Sequence, residues 1–255
     1  MRDLFVHRLD LAITSNKLFC VGYYSERIGG IGGYFNPPRL EGIARFNIDL
    51  TDFSIESEGF SPFPNQFKID KYGKDVDKGV LRIRTRNIIV SENEELVVLG
   101  EDCFISYREG IPVALNYKDI YVFKMDEFGN LLFAKCIKKD QSENFRKRLE
   151  HCSFSSIYVK GKMHIFLNAE REIKVKKDGG KILKLDNEIH QLYDFRIDDS
   201  GELSYSQIFK ELYGNTSLEV RFAIQINDSD LVIEAEVHDK PQLFRLSING
   251  LMTLD

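Results

Sequence analysis

The sequence has no tryptophan, only six prolines and only four cysteines among its 255 residues. So few cysteines exclude a disulfide-stapled scaffold, and six prolines with an ordinary 18 glycines exclude collagen-like and disordered classes. Cys20, Cys103, Cys136 and Cys152 form no C-x-x-C pair and have no histidine at zinc-finger spacing. Cys20 and Cys136 sit inside apolar runs, where a thiol behaves as a small hydrophobe, so reduced core thiols and no bound metal are expected. Neither sign of charge dominates. The 35 Lys+Arg against 40 Asp+Glu leave a net charge of −5, which argues against nucleic acid or an anionic membrane as the partner. Apolar stretches such as LVVLG (96–100) are far shorter than the roughly 20 residues of a membrane span. The N-terminus, MRDLFVHRLDLAITSNKLFCVGYY, mixes charged and apolar residues from the start and shows no export signal. These features predict a soluble, cytoplasmic chain, or an exported one if the native protein carries a leader that this sequence lacks. Nucleophile-elbow, zincin, EF-hand and dinucleotide-binding motifs are all missing, and nothing calls for a cofactor.

What is present is repetition. A short apolar run, a polar turn and a second apolar run recur four times: LAITSNKLFCVG (11–22), NIIVSENEELVVLG (87–100), SSIYVKGKMHIFL (155–167) and FAIQINDSDLVIEAEV (222–237). Their turn residues Asn16, Asn93, Gly161 and Ser229 are spaced by 77, 68 and 68 residues. A second hairpin follows each one, at 43–57, 120–137, 195–209 and 243–255. The turns DEFGN, DDSG and NG supply residues that tolerate a positive φ. The first hairpins lean toward continuous apolar runs, as strands buried on both faces do, and the second ones alternate more. Two hairpins per repeat, four times over, predict an all-β, β-propeller-like fold of about four four-stranded antiparallel sheets. One domain covers 1–255, with repeats at roughly 1–60, 80–140, 150–212 and 218–255. Short helices are expected at 141–152 and 205–214, as connectors between repeats.

The outer hairpin VFKMDEFGNLLFAK (122–135) resembles the repeats of bacterial β-propeller proteins in which a D-x-x-G-N turn precedes an apolar strand bearing an aromatic. IDDSGELSY (197–205) matches that pattern partly. With no tryptophan there is no WD dipeptide and no intact sialidase-type Asp box, and no kelch glycine pair recurs. The resemblance implies a fold and says nothing of activity.

Two segments carry candidate binding residues. The loop at 26–42 holds two glycine pairs, Tyr34, Phe35, two prolines and Arg39. No Lys-Ser/Thr follows its glycines, which removes a phosphate-cradling reading and leaves a recognition loop or a plain connection. A second long connection is expected at 100–119. In VLRIRTRN (80–87), strand alternation places Arg82, Arg84 and Arg86 on one face. There they can grip an anionic ligand, or pair with Glu92, Glu94, Glu95 or Glu101 nearby in sequence.

The reading these observations favour is a non-enzymatic binding or scaffold protein that recognises a protein segment or a small ligand through its loops. The rival is a hydrolase or lyase acting on a carbohydrate or other anionic substrate, using Arg82, Arg84 and Arg86 with carboxylates from several repeats. A third reading is a fragment of a larger propeller.

Overall fold

A computed structural model describes residues 4–26, 37–144, 152–169, 174–175, 181–184, 191–208, 217–237, 240–248 and 253–254. The described chain is all-β with one α-helix, and its strands form four sheets. In the first sheet, β1 (Phe5–Ile13), β2 (Lys17–Ser25), β3 (Gly42–Asp49) and β4 (Ile55–Pro62) pair antiparallel in chain order. Helix α1 (Asn65–Tyr72) leads to the second sheet, made from β5 (Ile83–Val90), β6 (Leu96–Arg108), β7 (Ile111–Met125) and β8 (Leu131–Ile137), with β9 (Lys139–Asn144) also paired to β7. The third sheet takes β10 (Ser155–Val159) and β11 (Lys162–Ala169). Two short strands, β12 (Lys174–Val175) and β13 (Lys181–Lys184), extend the second sheet through β9, and β13–β9 is a parallel pair. The third sheet is then completed by β14 (Gln191–Asp198) and β15 (Leu203–Gln207). The fourth comprises β16 (Ser217–Leu218), β17 (Ile224–Gln225), β18 (Asp230–Val237), β19 (Lys240–Ser247) and β20 (Thr253–Leu254).

Each hairpin read from the sequence falls within one of these sheets. The reason lies in the turns. Asp126 Oδ1 accepts hydrogen bonds from the backbone N–H of Phe128 and of Asn130, and Gly129 takes φ 87°. Asp198 does the same for Ser200 and Glu202, with Gly201 at φ 80°. An aspartate side chain that mimics a backbone turn, followed by glycine in the left-handed region, closes each hairpin in one register.

The chain divides into two compact units. One comprises Met1–Cys103 and Asp119–Lys138, the other Phe104–Lys118 and Lys139–Asp255. The first unit buries Phe19, Val21 and Tyr23 of β2 against Leu96 and Val98 of β6 and Tyr121 and Phe123 of β7. Phe67 of α1 is fully buried in this core, and Phe63 stacks on Phe123 at 5.4 Å. Arg45 is buried as well. Its Nε donates to Asn47 Oδ1 at 2.8 Å and its Nη1 to the carbonyl of Asp126 at 2.5 Å, which fastens β3 to the β7–β8 turn. The second unit packs Ile157 and Phe166 of the third sheet with Leu231, Ile233 and Phe244 of the fourth.

Three expectations change. The span 100–119 is a hairpin and not a connecting loop: β6 and β7 run on to a two-residue turn, Glu109–Gly110, where both residues have positive φ (53° and 79°). That is the turn whose twist matches the flanking strands. Residues 141–144 belong to β9 rather than to a helix. Gln141 is buried there, with its amide donating to the Asn168 carbonyl and its Oε1 accepting from Lys139 Nζ and the Ser153 N–H, so tertiary partners override local helical spacing. Residues 205–207 likewise belong to β15, whose edge pairs with β14. The rest of those two predicted helices, 145–151 and 209–214, lies outside the described residues.

Candidate functional site

Within the first unit, β1 and β5 are the end strands of their sheets, and they run beside one another without pairing. Between them lies a cleft of about 630 Å³, within the roughly 300–1,000 Å³ of small-ligand sites. β1 lines it with Asp10, Leu11, Ala12 and Ile13, and the turn after it with Thr14. β5 lines it with Thr85, Arg86, Asn87, Ile88 and Val90.

Both strands are shaped by bulges. β1 loses register between His7 and Leu9, where Arg8 takes φ 44° and its Nε donates to Asp10 Oδ1 at 3.0 Å. β5 loses register between Thr85 and Asn87, which turns Arg86 out of the ladder. Arg86 then donates from Nε (2.8 Å) and Nη2 (2.6 Å) to one carboxylate oxygen of Glu101, a residue with no solvent exposure. Behind the cleft, Thr85 Oγ1 lies 3.4 Å from the Tyr23 hydroxyl. Burial pushes that phenol's pKa up, so it stays a protonated hydrogen-bonding group across ordinary pH. Gly100 permits this approach: a Cβ there would meet Ile83 Cγ2 at 2.6 Å and the Tyr23 hydroxyl at 3.1 Å.

The cleft is therefore of mixed polarity. Its carboxylate, Asp10, and the buried Glu101 beside it are each held by an arginine, and among the described residues no histidine lines it. The lining offers hydroxyls, an amide, apolar side chains and strand backbone.

All three arginines are exposed, but Arg82 precedes β5 and the bulge between Thr85 and Asn87 separates Arg84 from Arg86, so they meet different partners. Arg86 reaches the cleft, and Arg82, 43% exposed in its side chain, lies 3.6 Å from Asp102 Oδ1. Arg84 stands opposite Glu101 in register and hydrogen-bonds toward Cys103, whose thiol pKa is nevertheless raised by burial. The pairing of Arg86 with Glu101 was among the partners legible in sequence. Arg39 does not line the cleft; its Nη1 is 3.5 Å from the Gly79 carbonyl, beside the Leu40–Val80 bridge. Tyr34 and Phe35 lie outside the described residues.

A second polar cluster sits under α1. Lys71 Nζ is 2.7 Å from Asp119 and 3.4 Å from Asp102, and Lys138 Nζ is 3.5 Å from Asp119. Burial works against the Lys71 ammonium, but the two aspartates outweigh it and its pKa is raised. Burial raises the Asp102 pKa against the pull of Lys71 and Arg82. Opposite charges that cancel at close range, with side chains 9–12% exposed for Lys71, Asp102 and Asp119, make this a structural knot that ties α1 to the second sheet. Among the described residues, no group of three or more His, Cys, Asp or Glu side chains is placed to hold a metal, all four cysteines are free thiols, and no helix is long and apolar enough to cross a membrane.

Asp10, Thr85 and Tyr23 were not picked out in the sequence. The signal was there in RLDLAI (8–13), where Leu9, Leu11 and Ile13 alternate with other residues; a reading of this run as an inner, doubly buried strand concealed it. In the structure these three are 49%, 58% and 69% exposed.

No protein-family profile and no curated protein matches the chain. Among solved structures, a polysaccharide lyase, Uly1, is similar over 96% of this chain and 46% of its own, with 9% identity and a TM-score of 0.36. The extracellular domains 1–2 of Drosophila Semaphorin 1b are similar over 97% of this chain and 54% of theirs, with 9% identity and a TM-score of 0.27. The chain thus spans about half the length of each, and likenesses this distant carry nothing about ligand or activity.

Proposed function

We propose that this chain is a binding module built on propeller-like sheet repeats, and that it takes its ligand, a protein segment or small molecule, in the cleft between β1 and β5. The observation that carries this reading is the cleft itself. It is walled by two end strands, carries an exposed apolar stripe, and has its charges already neutralised by neighbours. Arg86 holds Glu101, so its role is to keep the wall of the cleft in place. Clustering of the three arginines with an acid and a histidine in one pocket would favour the hydrolase or lyase reading; among the described residues, Arg86 alone of the three lines the cleft.

A thermal-shift screen against peptides, neutral and acidic oligosaccharides and nucleotides tests this. A ligand at 100 times its Kd adds about 2.7 kcal/mol and raises the melting temperature of a chain this size by about 5–11 °C. The shift is expected to vanish in Ile13→Asp, which alters an exposed cleft side chain without touching the core. A ligand whose shift survives Ile13→Asp and Leu11→Asp binds elsewhere and overturns the assignment.

A further inference from the structure

The backbone of β1 says more about the occupant than its side chains do. Thr14 donates its N–H to the Lys17 carbonyl at 2.9 Å, and Ile13 stands opposite Leu18, Ala12 opposite Phe19 and Asp10 opposite Val21. In an antiparallel ladder, residues alternate between bonding the partner strand and facing away from it. Thr14, Ala12 and Asp10 therefore bond β2, and the N–H and C=O groups of Leu9, Leu11 and Ile13 face outward. Among the described residues no strand pairs with that edge. The same argument holds across the cleft. Ser91 donates to Glu95 in the β5–β6 turn, so Ile88 and Val90 turn their backbone groups away from β6. A β-strand edge left open beside a cleft is a template for another strand.

We infer that the occupant of the cleft is a short peptide in extended conformation, added as a further strand on the open edge of β1. This rests on the reading of the cleft as the ligand site. The length is bounded at both ends. The Arg8 bulge interrupts the edge below Leu9, and the hairpin turn begins at Thr14, which leaves Leu9–Ile13, about 17 Å of strand at roughly 3.4 Å per residue. The side chains specify the sequence pattern. On one face of the added strand, alternate residues lie beside the exposed Leu9, Leu11 and Ile13 and are apolar; on the other, they lie on the side of Ala12 and Thr14, in a cleft also lined by Thr85 and Asn87, and carry hydroxyl or amide groups. A second copy of this chain, pairing β1 with β1, fits less well. A stable dimer buries roughly 1,200–2,000 Å², and a short edge interrupted by a bulge and bordered by β5 does not present such a surface.

The test uses an alternating valine–threonine peptide of about seven residues with a lysine at each end and a fluorophore for anisotropy. Two further peptides carry N-methyl groups on one or the other alternate set of amides. A strand bonds a neighbouring edge through only one alternate set. One methylated peptide is therefore expected to bind at least about tenfold more weakly, while the other binds as the parent does. On the protein side, Leu11→Pro removes an outward N–H and leaves the β1–β2 ladder intact, because proline is tolerated on a strand edge whose N–H faces solvent. It is expected to weaken the peptide about fivefold to tenfold with an unchanged circular dichroism spectrum and melting temperature. If the parent binds and both methylated peptides bind equally, the strand-pairing inference is wrong while the cleft remains the ligand site. If the parent does not bind but the compound screen yields a ligand lost in Ile13→Asp, the peptide assignment is wrong and the cleft stands. If neither binds, both readings fall.

Discussion

Arg86 and Glu101 set the clearest energetic stake at the scale of single residues. Glu101 has no solvent exposure and receives two hydrogen bonds from one guanidinium. Arg86→Ala leaves a buried carboxylate without that partner, which costs about 3–5 kcal/mol of stability by urea unfolding. Arg86→Met combined with Glu101→Leu restores most of the loss, because an apolar pair of similar volume replaces the ion pair without a buried charge. Asp230 gives a pH signature. Hydrogen bonds from Ser247 and Asn227 and the Arg245 guanidinium hold its carboxylate ionised, and its pKa is lowered to about 2. A group depressed on folding stabilises fully above its unfolded value of about 3.9 and loses that contribution as pH falls through its folded value. Asp230→Asn is therefore expected to lower the melting temperature at neutral pH and to flatten the decline between about pH 4 and pH 2; an equally steep decline in the variant would place the acid sensitivity elsewhere. The sequence showed the charge of Arg86 and named Glu101 among its neighbours. It did not show that a bulge at Arg86 would turn it to a cleft, because a bulge depends on pairing with β6 and leaves no local mark.

Elements were more legible than residues, because turns and alternation are local. The Asp-x-x-Gly turns at Asp126 and Asp198 carry their own hydrogen bonds and closed the outer hairpins where the sequence placed them. Gly129 combines φ 87° with a position where a Cβ would lie 3.0 Å from the Gly59 Cα. Gly129→Ala is expected to cost about 1–3 kcal/mol, whereas Gly110→Ala, also left-handed but with open space around it, pays only the conformational strain. Comparing the two variants by chemical denaturation separates packing from backbone strain. Helix α1 was missed although Pro64 precedes it and Gly73, at φ 71°, ends it by donating its N–H to the Ile69 carbonyl. Proline before and glycine after is a helix signature, but the segment is eight residues long and is held by Phe67 in the core and by the Lys71–Asp119 contact, neither of which is local. The 100–119 hairpin carries little local signal, because its turn, Glu109–Gly110, lacks the asparagine or aspartate that usually marks one.

For the whole molecule, sequence reading succeeded on architecture and stopped short of the site for one reason. Four hairpin pairs announce four sheets, but which strand ends a sheet, and what lies beside it, depends on pairing between distant segments. Among the described residues, two end strands line the cleft, and most of the loop expected to recognise a ligand, 27–36, lies outside them. The stripe Leu9, Leu11 and Ile13 becomes meaningful only when its backbone is seen to face an open edge. The most direct test of that account is isothermal titration of the alternating peptide into the wild-type chain, into Ile13→Asp, and into Leu243→Asp, a comparably exposed residue that does not line the cleft. The account predicts binding that falls by about tenfold or more in Ile13→Asp and is unchanged in Leu243→Asp. Equal affinity for all three proteins would contradict it.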